Sequence, residues 1–192
     1  MKLFLASKSP RRRQLLAELG YPVEFVDIDV DEHVAPGTPA ADIAEQLACR
    51  KAAAVNLSSP LFPPDAVFVT ADTVVVLDGE VLGKPVDHDD AVRMLQRLSG
   101  RGHTVYTGVC LRSREQQVSF TEHTDVFFRP LTDEDIHYYV EHCRPYDKAG
   151  AYGIQEWIGM VGVSRIDGCY YNVMGLPLAR LYRALRERFS SK

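Results

Sequence analysis

The sequence predicts an α/β fold in which helices pack against one mixed β-sheet. Short apolar runs rich in β-branched residues alternate along the chain with segments whose apolar residues recur at helical spacing. Asp-Gly pairs at 78–79 and 167–168 each join two such runs directly, which is typical of antiparallel hairpins. Hairpins within an otherwise alternating pattern favour a sheet with both parallel and antiparallel strands.

The composition is that of a globular chain with a sizeable core. Of 192 residues, 46% are hydrophobic and 25% are charged, which predicts one domain or two closely packed lobes. The net charge of -4 opposes binding of a polyanion such as DNA. No apolar run approaches the length of a membrane span, and the run before Lys8 is too short for a signal-peptide core. We therefore expect a soluble cytoplasmic protein without nucleic-acid or membrane partners.

The cysteines and histidines follow no disulfide or metal-binding pattern. The four cysteines are widely scattered and include no C-x-x-C pair, so we expect them to be reduced and structural. The six histidines are equally dispersed. His137 and His142 share one predicted helix but are not at the i, i+4 spacing of a helical metal pair. We expect each histidine to be a packing or surface residue.

The first strand, turn and helix contain an unusual cluster of arginines. Residues 3–6 are an apolar run of strand length, and Gly20 ends the helix that follows. Ser9 is a good N-cap and Pro10 suits the first helical position, so the three arginines at 11–13 fall in the first turn. Cations are unfavourable at this positive end of a helix unless an anion lies among them. Two interpretations remain open, a phosphate-binding turn or a basic turn neutralised by solvent ions.

A second strand is predicted at 23–30, and its end is strongly acidic. The carboxylates belong to Asp27, Asp29, Asp31 and Glu32. Such a run is usually a solvated loop. The alternative is that one or two of these carboxylates ligate a divalent cation, because Mg²⁺ binds a few carboxylates together with substrate phosphates.

The next helix opens at Thr38-Pro39 and has a lysine on its apolar face. Lys51 lies four residues after Leu47, on the same side of the helix. It either extends to the surface or points into a polar cleft, where it would pair with an anionic ligand. Residues 56–65, which include three prolines, are expected to be a surface connection.

A long strand is predicted at 67–77, with Asp72 in its middle. Its length and β-branched content are typical of a central strand covered on both faces. A lone buried carboxylate is costly unless it is paired or metal-bound, so we favour a functional site over a bulge with a structural aspartate. The hairpin at 78–79 returns the chain to Lys84, and Pro85 ends the strand there. We therefore expect Lys84 to lie near Asp72 across the hairpin.

The rest of the chain adds helices and hairpins in alternation. Three further helices are predicted, from Asp87 to Gly100, from Thr132 to just before Pro145, and from Pro177 to Phe189. Two hairpins are predicted, pairing 103–111 with 118–128 and 161–166 with 169–173. The segment 148–155 is rich in glycine, which allows its backbone to approach another group closely.

Four blocks of the sequence together carry a resemblance to a known family. The blocks are residues 6–12, 71–73 with 82–85, 98–108, and 147–155 with 175–177. They resemble the Maf family of nucleoside triphosphate pyrophosphatases and lie in the family's order over nearly the whole chain, whereas each block alone would be a weak signal. The resemblance implies a single Maf-like domain over residues 1–192, with an elongated mixed central sheet and flanking helices. It also implies two lobes that enclose a nucleotide cleft, in a fold similar to that of inosine triphosphatases.

By this resemblance, the protein cleaves a nucleoside triphosphate between its α and β phosphates and acts in nucleotide-pool housecleaning or division arrest. A divalent cation, Mg²⁺ or alternatively Mn²⁺ or Co²⁺, is implied, and so is a homodimer. The implied catalytic residues are Asp72, Glu32, Lys51 and Lys84, of which Asp72 and Glu32 hold the metal. The implied substrate-binding residues are Ser7, Arg11, Arg12, Thr73 and Gln155. The sequence leaves open whether Asp72 accepts a proton or only holds the metal.

Three positions resemble the branch of the family that acts on dTTP and UTP. Arg11 follows the Ser-Pro pair, Thr73 follows the catalytic aspartate, and Gln155 ends the Gly-Ala-Tyr-Gly-Ile segment. The branch that acts on 7-methyl-GTP carries an aromatic residue, a glutamine and a glutamate there. A neutral amide can both donate to a uracil carbonyl and accept from its N3–H. One departure is Glu156-Trp157, where the family usually has small residues, and it puts the shape of the base pocket in doubt.

Three alternative functions stay open at this point. One is a non-catalytic nucleotide-binding regulator of cell division, another is the 7-methyl-GTP type of pyrophosphatase, and the third is a phosphatase that releases orthophosphate. Retention of the two acids, Asp72 and Glu32, favours an enzyme, because binding alone would not require them.

Overall fold

The computed structural model describes residues 1–35 and 37–189 of the chain. Its strands are β1 (Lys2–Ala6), β2 (Val23–Val26), β3 (Ala66–Leu77), β4 (Glu80–Leu82), β5 (Gly102–Arg112), β6 (Gln117–Phe128) and β7 (Val163–Asp167). Its helices are α1 (Pro10–Ala17), α2 (Ala40–Ala53), α3 (His88–Leu98), α4 (Asp133–Cys143), α5 (Trp157–Gly162), α6 (Tyr170–Met174) and α7 (Leu178–Arg188). A 3₁₀ turn spans Ala149–Ala151.

The strands form one mixed sheet of seven, which confirms the predicted fold class. The strand order is β2-β1-β3-β5-β6-β7, and β4 pairs with β3. β1 runs parallel to both of its neighbours, with Leu5 opposite Phe25 on β2 and Val69 on β3. β4 is antiparallel to β3, and β7 is antiparallel to β6. Parallel and antiparallel pairs therefore coexist, as the hairpin signals in the sequence indicate.

One predicted strand boundary is wrong, and one helix was not predicted. β2 ends at Val26 and not at residue 30. The reason is that β1 ends at Ala6, which pairs with Val26, so the acidic residues beyond have no β1 residue to pair with. The sequence analysis also missed α5, which contains residues 161 and 162 that were predicted as strand. Gly159 is required inside this short helix because a Cβ there would lie 1.8 Å from the Ile154 carbonyl oxygen.

The prediction of a strand at 169–173 is also wrong, because this segment forms α6. The Thr124 hydroxyl donates to the Cys169 carbonyl (3.1 Å) and accepts from the Cys169 N–H (3.0 Å), which occupies groups that a strand ladder would use. The buried Asn172 side chain donates to the Val105 carbonyl (3.0 Å), which holds the first helical turn against β5. Side-chain hydrogen bonding from a neighbouring strand thus overrides the local Asp-Gly turn signal.

The chain divides into two compact units. The first unit comprises Met1–Asp72, Thr107–Glu122 and the chain from Gly175 onward, and the second comprises Thr73–Tyr106 and His123–Met174. Each unit has its own apolar cluster. In the first, Phe4 stacks on Phe68 (5.1 Å between ring centroids) and Phe62 packs edge-on against both. In the second, side chains of α3 and α4 are fully buried, including Leu95, Leu98, Ile136 and Tyr139.

Helix α2 is fixed tightly within the first unit. A Cβ at Gly108 on β5 would lie 2.2 Å from the Ala44 carbonyl carbon, so only glycine allows the helix to approach this closely. On β6, Ser119 and Thr121 donate to the two carboxylate oxygens of Glu45 (2.6 and 2.9 Å). These contacts set the rotation of α2 and therefore the direction in which its later side chains point.

All four cysteines are free thiols. Within the described residues, no helix has the length and apolarity needed to cross a bilayer.

His103 in the second unit is a packing residue with a perturbed acid–base equilibrium. It is 4% exposed, stacks on Phe128 (5.7 Å between centroids), and its Nε2 is 2.7 Å from the Tyr152 hydroxyl oxygen. Its Nδ1 is buried and has no hydrogen-bond partner within residues 1–35 and 37–189. Burial lowers the pKa of His103 from 6.5 to about 4, although the nearby Asp125 carboxylate raises it. The native protein therefore holds this imidazole neutral.

We expect this histidine to destabilise the fold in mild acid. The unfolded chain binds the proton below about pH 6.5 and the folded chain only near pH 4, so stability is lost as the pH falls between these values. The loss reaches up to about 3 kcal/mol. Urea unfolding at pH 7 and pH 4.5 should show a His103→Phe variant losing about 2–3 kcal/mol less than the parent over this interval. An equal loss of unfolding free energy in the parent and in His103→Phe would contradict the assignment of a lowered pKa to His103.

Candidate active site

A single ammonium group lies between two carboxylates in the first unit. Lys51 Nζ is 2.7 Å from Glu32 Oε1 and makes a very short contact with Asp72 Oδ1. The Lys51 and Asp72 side chains are each only 14% exposed, whereas Glu32 is about half exposed. Low exposure weakens solvent screening, so these charges interact more strongly than a surface pair would.

The strand and helix registers explain why Lys51 meets Asp72. Thr70 and Asp72 are two residues apart on β3 and therefore point to the same face of the sheet. Thr70 donates from its hydroxyl to the Ala48 carbonyl on α2 (2.7 Å), which fixes the helix over this face. Lys51 follows Ala48 by three residues, on the same side of α2. The prediction that Asp72 interrupts a long central strand is confirmed by β3.

The loop that carries Glu32 is fastened to α2 by a residue that the sequence analysis did not single out. One guanidinium nitrogen of Arg50 donates to the carbonyls of Asp31 and His33, both at 2.7 Å. The Asp31 carboxylate also accepts from the His33 N–H (2.9 Å). Arg50 therefore fixes the backbone on both sides of Glu32. The available signal was the position of Arg50 directly before Lys51, but a basic residue in a last helical turn is also a common capping feature.

The start of α1 is built as the sequence predicts. Ser9 is the N-cap and its hydroxyl oxygen accepts from the Arg12 N–H, and Pro10 is the first helical residue. The buried Ser7 hydroxyl accepts from the Ser9 N–H (3.2 Å). Because Leu5 pairs with Val69, the chain leaves β1 beside the part of β3 that leads to Asp72. Ser7 and α1 therefore lie at the carboxyl ends of two parallel strands, where α/β proteins usually bind ligands.

Arg12 is electrostatically linked to both carboxylates. Burial lowers the pKa of its guanidinium group, the Asp72 charge raises it, the neighbouring Arg11 lowers it and Glu32 raises it. Its Nε donates to the Gly175 carbonyl (2.8 Å), which fixes the side chain within the unit. Arg11 is half-buried in the same first turn. The structure therefore brings Lys51, Asp72, Glu32 and Arg12 into one charged cluster.

Arg13 differs from the two arginines before it because its partners are structural. It pairs with Asp27 (2.8 Å), lies over the Phe25 ring (5.1 Å to the centroid), and donates to the Ser7 carbonyl (3.2 Å). The Asp27 carboxylate therefore binds a side chain of α1, whereas Glu32 in the same acidic stretch binds Lys51 on α2. Of its four acids, Glu32 is the one that forms an ion pair with Lys51 (2.7 Å) within residues 1–35 and 37–189.

The pair Asp72 and Glu32 fits a divalent cation. Both direct a carboxylate oxygen at one cationic group, and two carboxylates are what Mg²⁺ takes from a protein when substrate phosphates and waters supply the other oxygens. A hard, all-oxygen donor set of this kind suits Mg²⁺ and Mn²⁺ better than softer metals.

The other predicted site residues belong to the second unit. Thr73 follows Asp72 on β3 and is half-buried, and Lys84 is exposed two residues after the end of β4.

Gln155 borders a cavity of about 310 Å³ whose lining is mostly apolar, formed by Ile154, Gly159, Met160, Val163, Ile166 and Tyr170. Its Oε1 is buried and has no hydrogen-bond partner in the described part of the chain. A buried acceptor without a donor costs about 1–3 kcal/mol.

The side chains of Glu156 and Trp157 both contact other residues of the second unit. Glu156 forms an ion pair with the buried Lys148 (3.0 Å) and accepts a very short hydrogen bond from the Tyr139 hydroxyl. Burial and the Glu156 charge raise the pKa of Tyr139. The Trp157 ring packs against Tyr138 (4.8 Å between centroids). The large side chains therefore have internal partners, while Gln155 borders the cavity.

Comparison with known proteins finds a family model and relatives that match almost the whole chain. The family model described as Maf-like protein matches residues 2–188. The dTTP/UTP pyrophosphatase of Phocaeicola vulgatus is 50% identical over 97% of this chain and 95% of its own length. The dTTP/UTP pyrophosphatase of Carboxydothermus hydrogenoformans is 48% identical over 97% of this chain and 98% of its own length.

A solved structure supports the same fold. The Staphylococcus aureus Ham1 protein superimposes with a TM-score of 0.54 at 15% identity, covering 97% of this chain and 99% of that one. At that identity the likeness concerns the fold alone. The family match over nearly the full chain and the relatives near 50% identity show that this chain belongs to the Maf family.

Proposed function

We propose that this protein hydrolyses dTTP and UTP, with related modified uridine triphosphates, to the monophosphate and pyrophosphate. The observation that carries the proposal is the cluster in which Lys51 joins Asp72 and Glu32 beside Arg12. Two carboxylates held at cationic groups suit a triphosphate-and-metal substrate. The substrate assignment follows the relatives at 50% and 48% identity, which are named dTTP/UTP pyrophosphatases.

The cationic residues hold the triphosphate. A bound triphosphate brings about four negative charges, so attack by water requires charge neutralisation and positioning more than covalent chemistry. Ser7 and the first turn of α1 supply hydroxyl, N–H and guanidinium donors, which is how helix N-termini commonly bind phosphate. The cationic residues in this role are Arg11, Arg12, Lys51 and Lys84, and Ser7 adds a hydroxyl donor.

Asp72 and Glu32 are the residues that would hold a divalent cation, Mg²⁺ in the first instance and Mn²⁺ or Co²⁺ as alternatives. When bound, such a cation polarises phosphate oxygens and acidifies water. Lys51 contacts the same two carboxylates, so it keeps them together and fixes their orientation.

The reaction adds one water across the α–β phosphoanhydride bond. One phosphorus gains the water oxygen, the bridging oxygen leaves with the electron pair of the broken bond, and one proton must be removed from the water. Asp72 is our candidate for the group that takes this proton, because it is largely buried and orientated by Lys51. Lys51 and Arg12 neutralise charge that develops on the phosphate oxygens.

We expect Gln155 to recognise the uracil or thymine base. The Gln155 amide oxygen lacks a donor in the described part of the chain, and the N3–H of either base supplies one when the amide turns toward the cavity. The Gln155 amide nitrogen can donate to a base carbonyl at the same time. Arg11 and Thr73 complete the set of positions that favour pyrimidines.

In the cell, we place this activity in the cytoplasm, in nucleotide-pool housecleaning or division arrest, with the protein as a homodimer. The net charge of -4 supports the absence of a nucleic-acid partner, because the long-range field repels polyanions.

Incubating the purified protein with dTTP or UTP and MgCl₂ tests the activity by product. We expect pyrophosphate and the nucleoside monophosphate in equal amounts. Release of orthophosphate with the nucleoside diphosphate would indicate a phosphatase instead. Saturable nucleotide binding without any product would indicate a non-catalytic regulator.

A further inference from the structure

The second unit contains a second group of potential metal ligands, which the proposed pyrophosphatase function does not use. His88 is the first residue of α3, and His137 and Glu141 lie on α4. One ligand atom from each residue lies within 4.8 Å of the other two. Within residues 1–35 and 37–189, this is the one group of three or more His, Cys, Asp or Glu side chains with that spacing.

The packing of α3 against α4 brings these residues together. His137 and Glu141 are four residues apart and therefore share one face of α4. Gln96 in the last turn of α3 donates to Asp133 at the start of α4 (3.2 Å), so the two helices run in opposite directions. The start of α3, with His88, consequently lies beside the later turns of α4. The rings of His88 and His137 are 5.8 Å apart between centroids and inclined by only 23°.

A neighbouring carboxylate forms a hydrogen bond with one of the histidines. His88 Nδ1 is 3.1 Å from Asp89 Oδ1. This hydrogen bond keeps the proton on Nδ1 and leaves the lone pair of Nε2 available for a metal. A carboxylate that fixes the tautomer and ring direction in this way is the usual outer partner of a metal-ligating histidine.

We propose that His88, His137 and Glu141 bind one late first-row divalent cation, with Zn²⁺ as the ion of choice. Two imidazole nitrogens and one carboxylate oxygen form a donor set that suits zinc, and three protein ligands leave a fourth position for water. Mg²⁺ prefers an all-oxygen set, which makes this site chemically different from the Asp72 and Glu32 pair. The bound ion links the start of α3 to α4 and stabilises the second unit.

The binding test uses the full-length chain without a histidine tag and with Asp72→Asn, so that the carboxylate pair competes less for metal. We expect calorimetric titration with ZnCl₂ in excess MgCl₂ to give one bound Zn²⁺ per chain. Co²⁺ should give the visible absorption bands of a four-coordinate site. At free Zn²⁺ about 100 times the dissociation constant, Tm should rise by about 5–10 °C. Absence of stoichiometric binding would overturn the proposal.

Variants decide whether these residues are the ligands. His137→Ala and Glu141→Gln should each weaken Zn²⁺ binding by at least about tenfold, and Asp89→Asn by about tenfold through His88. His142→Ala is the matched control, because it removes a histidine of the same helix whose Nδ1 contacts the Tyr138 carbonyl (2.7 Å). Circular dichroism and Tm without zinc should show that each variant is folded. Unchanged affinity in folded His137→Ala, or an equal loss in His142→Ala, would refute the site.

Discussion

Replacing Asp72 by asparagine should lower kcat for dTTP and UTP by about 10³-fold or more, to the background of the assay. Removing a general base costs about 10²–10⁴-fold, and this change also weakens a carboxylate proposed to hold the metal. Asparagine keeps the shape of the side chain, and Lys51 retains its contact with Glu32 (2.7 Å), so the variant should still fold. Pyrophosphate release under saturating substrate measures kcat, and Tm measures folding.

Asp27→Asn is a matched control for this experiment. It makes the same chemical change in the same unit, but the Asp27 carboxylate pairs with Arg13 (2.8 Å) and not with Lys51. We expect near-normal turnover in this control. A folded Asp72→Asn protein with near-normal kcat would refute the role of Asp72. Measuring the Mn²⁺ affinity of Asp72→Asn separates the two functions. The affinity stays unchanged if Asp72 only accepts a proton, and it falls if Asp72 is a metal ligand.

In a side-by-side screen, dTTP and UTP should be hydrolysed with higher kcat/KM than CTP, ATP, GTP or 7-methyl-GTP. Gln155→Glu should reverse part of this preference by lowering kcat/KM for UTP about 10- to 100-fold. The physical reason is that a carboxylate accepts from N3–H but cannot donate to the base carbonyl, and it brings a negative charge to that edge. A site that hydrogen-bonds its substrate strongly rejects analogues that lack the partner groups.

The same change at an exposed position controls for the added charge. Gln117 lies on the surface at the start of β6, and Gln117→Glu should leave kcat/KM for every nucleotide unchanged. If 7-methyl-GTP or a plain purine triphosphate were the fastest substrate of the unaltered protein, the pyrimidine assignment would be wrong. If Gln155→Glu left UTP hydrolysis unaffected, the base would have to be recognised elsewhere.

Local chemistry in the sequence was sufficient for most of the elements. Asp87 caps α3 by accepting from the Asp90 N–H (2.8 Å), and Thr132 forms a capping box with Asp135 at the start of α4, so both helix starts could be predicted from neighbouring residues. The segment at 169–173 could not be predicted, because its partner, Thr124, lies 45 residues away in the chain. A turn signal of two residues does not reveal a hydrogen bond from a distant strand.

The sequence by itself determined that a carboxylate interrupts a central strand at Asp72, that Lys51 lies on the apolar face of α2, and that the chain resembles the Maf family. Only the tertiary structure decided which charges meet. Glu32 was one of four acids in a short stretch, and its contact with Lys51 depends on Arg50 binding the carbonyls on both sides of it.

The histidines illustrate the same limit. The spacing of His137 and His142 along α4 excluded a metal-binding pair of histidines within that helix. His88 nevertheless reaches His137 and Glu141, because α3 packs antiparallel on α4. Helical periodicity and capping depend on residues within a few positions of one another, so a sequence displays them directly. The convergence of side chains from separate elements depends on strand register and on how closely helices pack. Those quantities are set by the summed contacts of the whole unit, which is why the charged cluster and the histidine site emerge only in three dimensions.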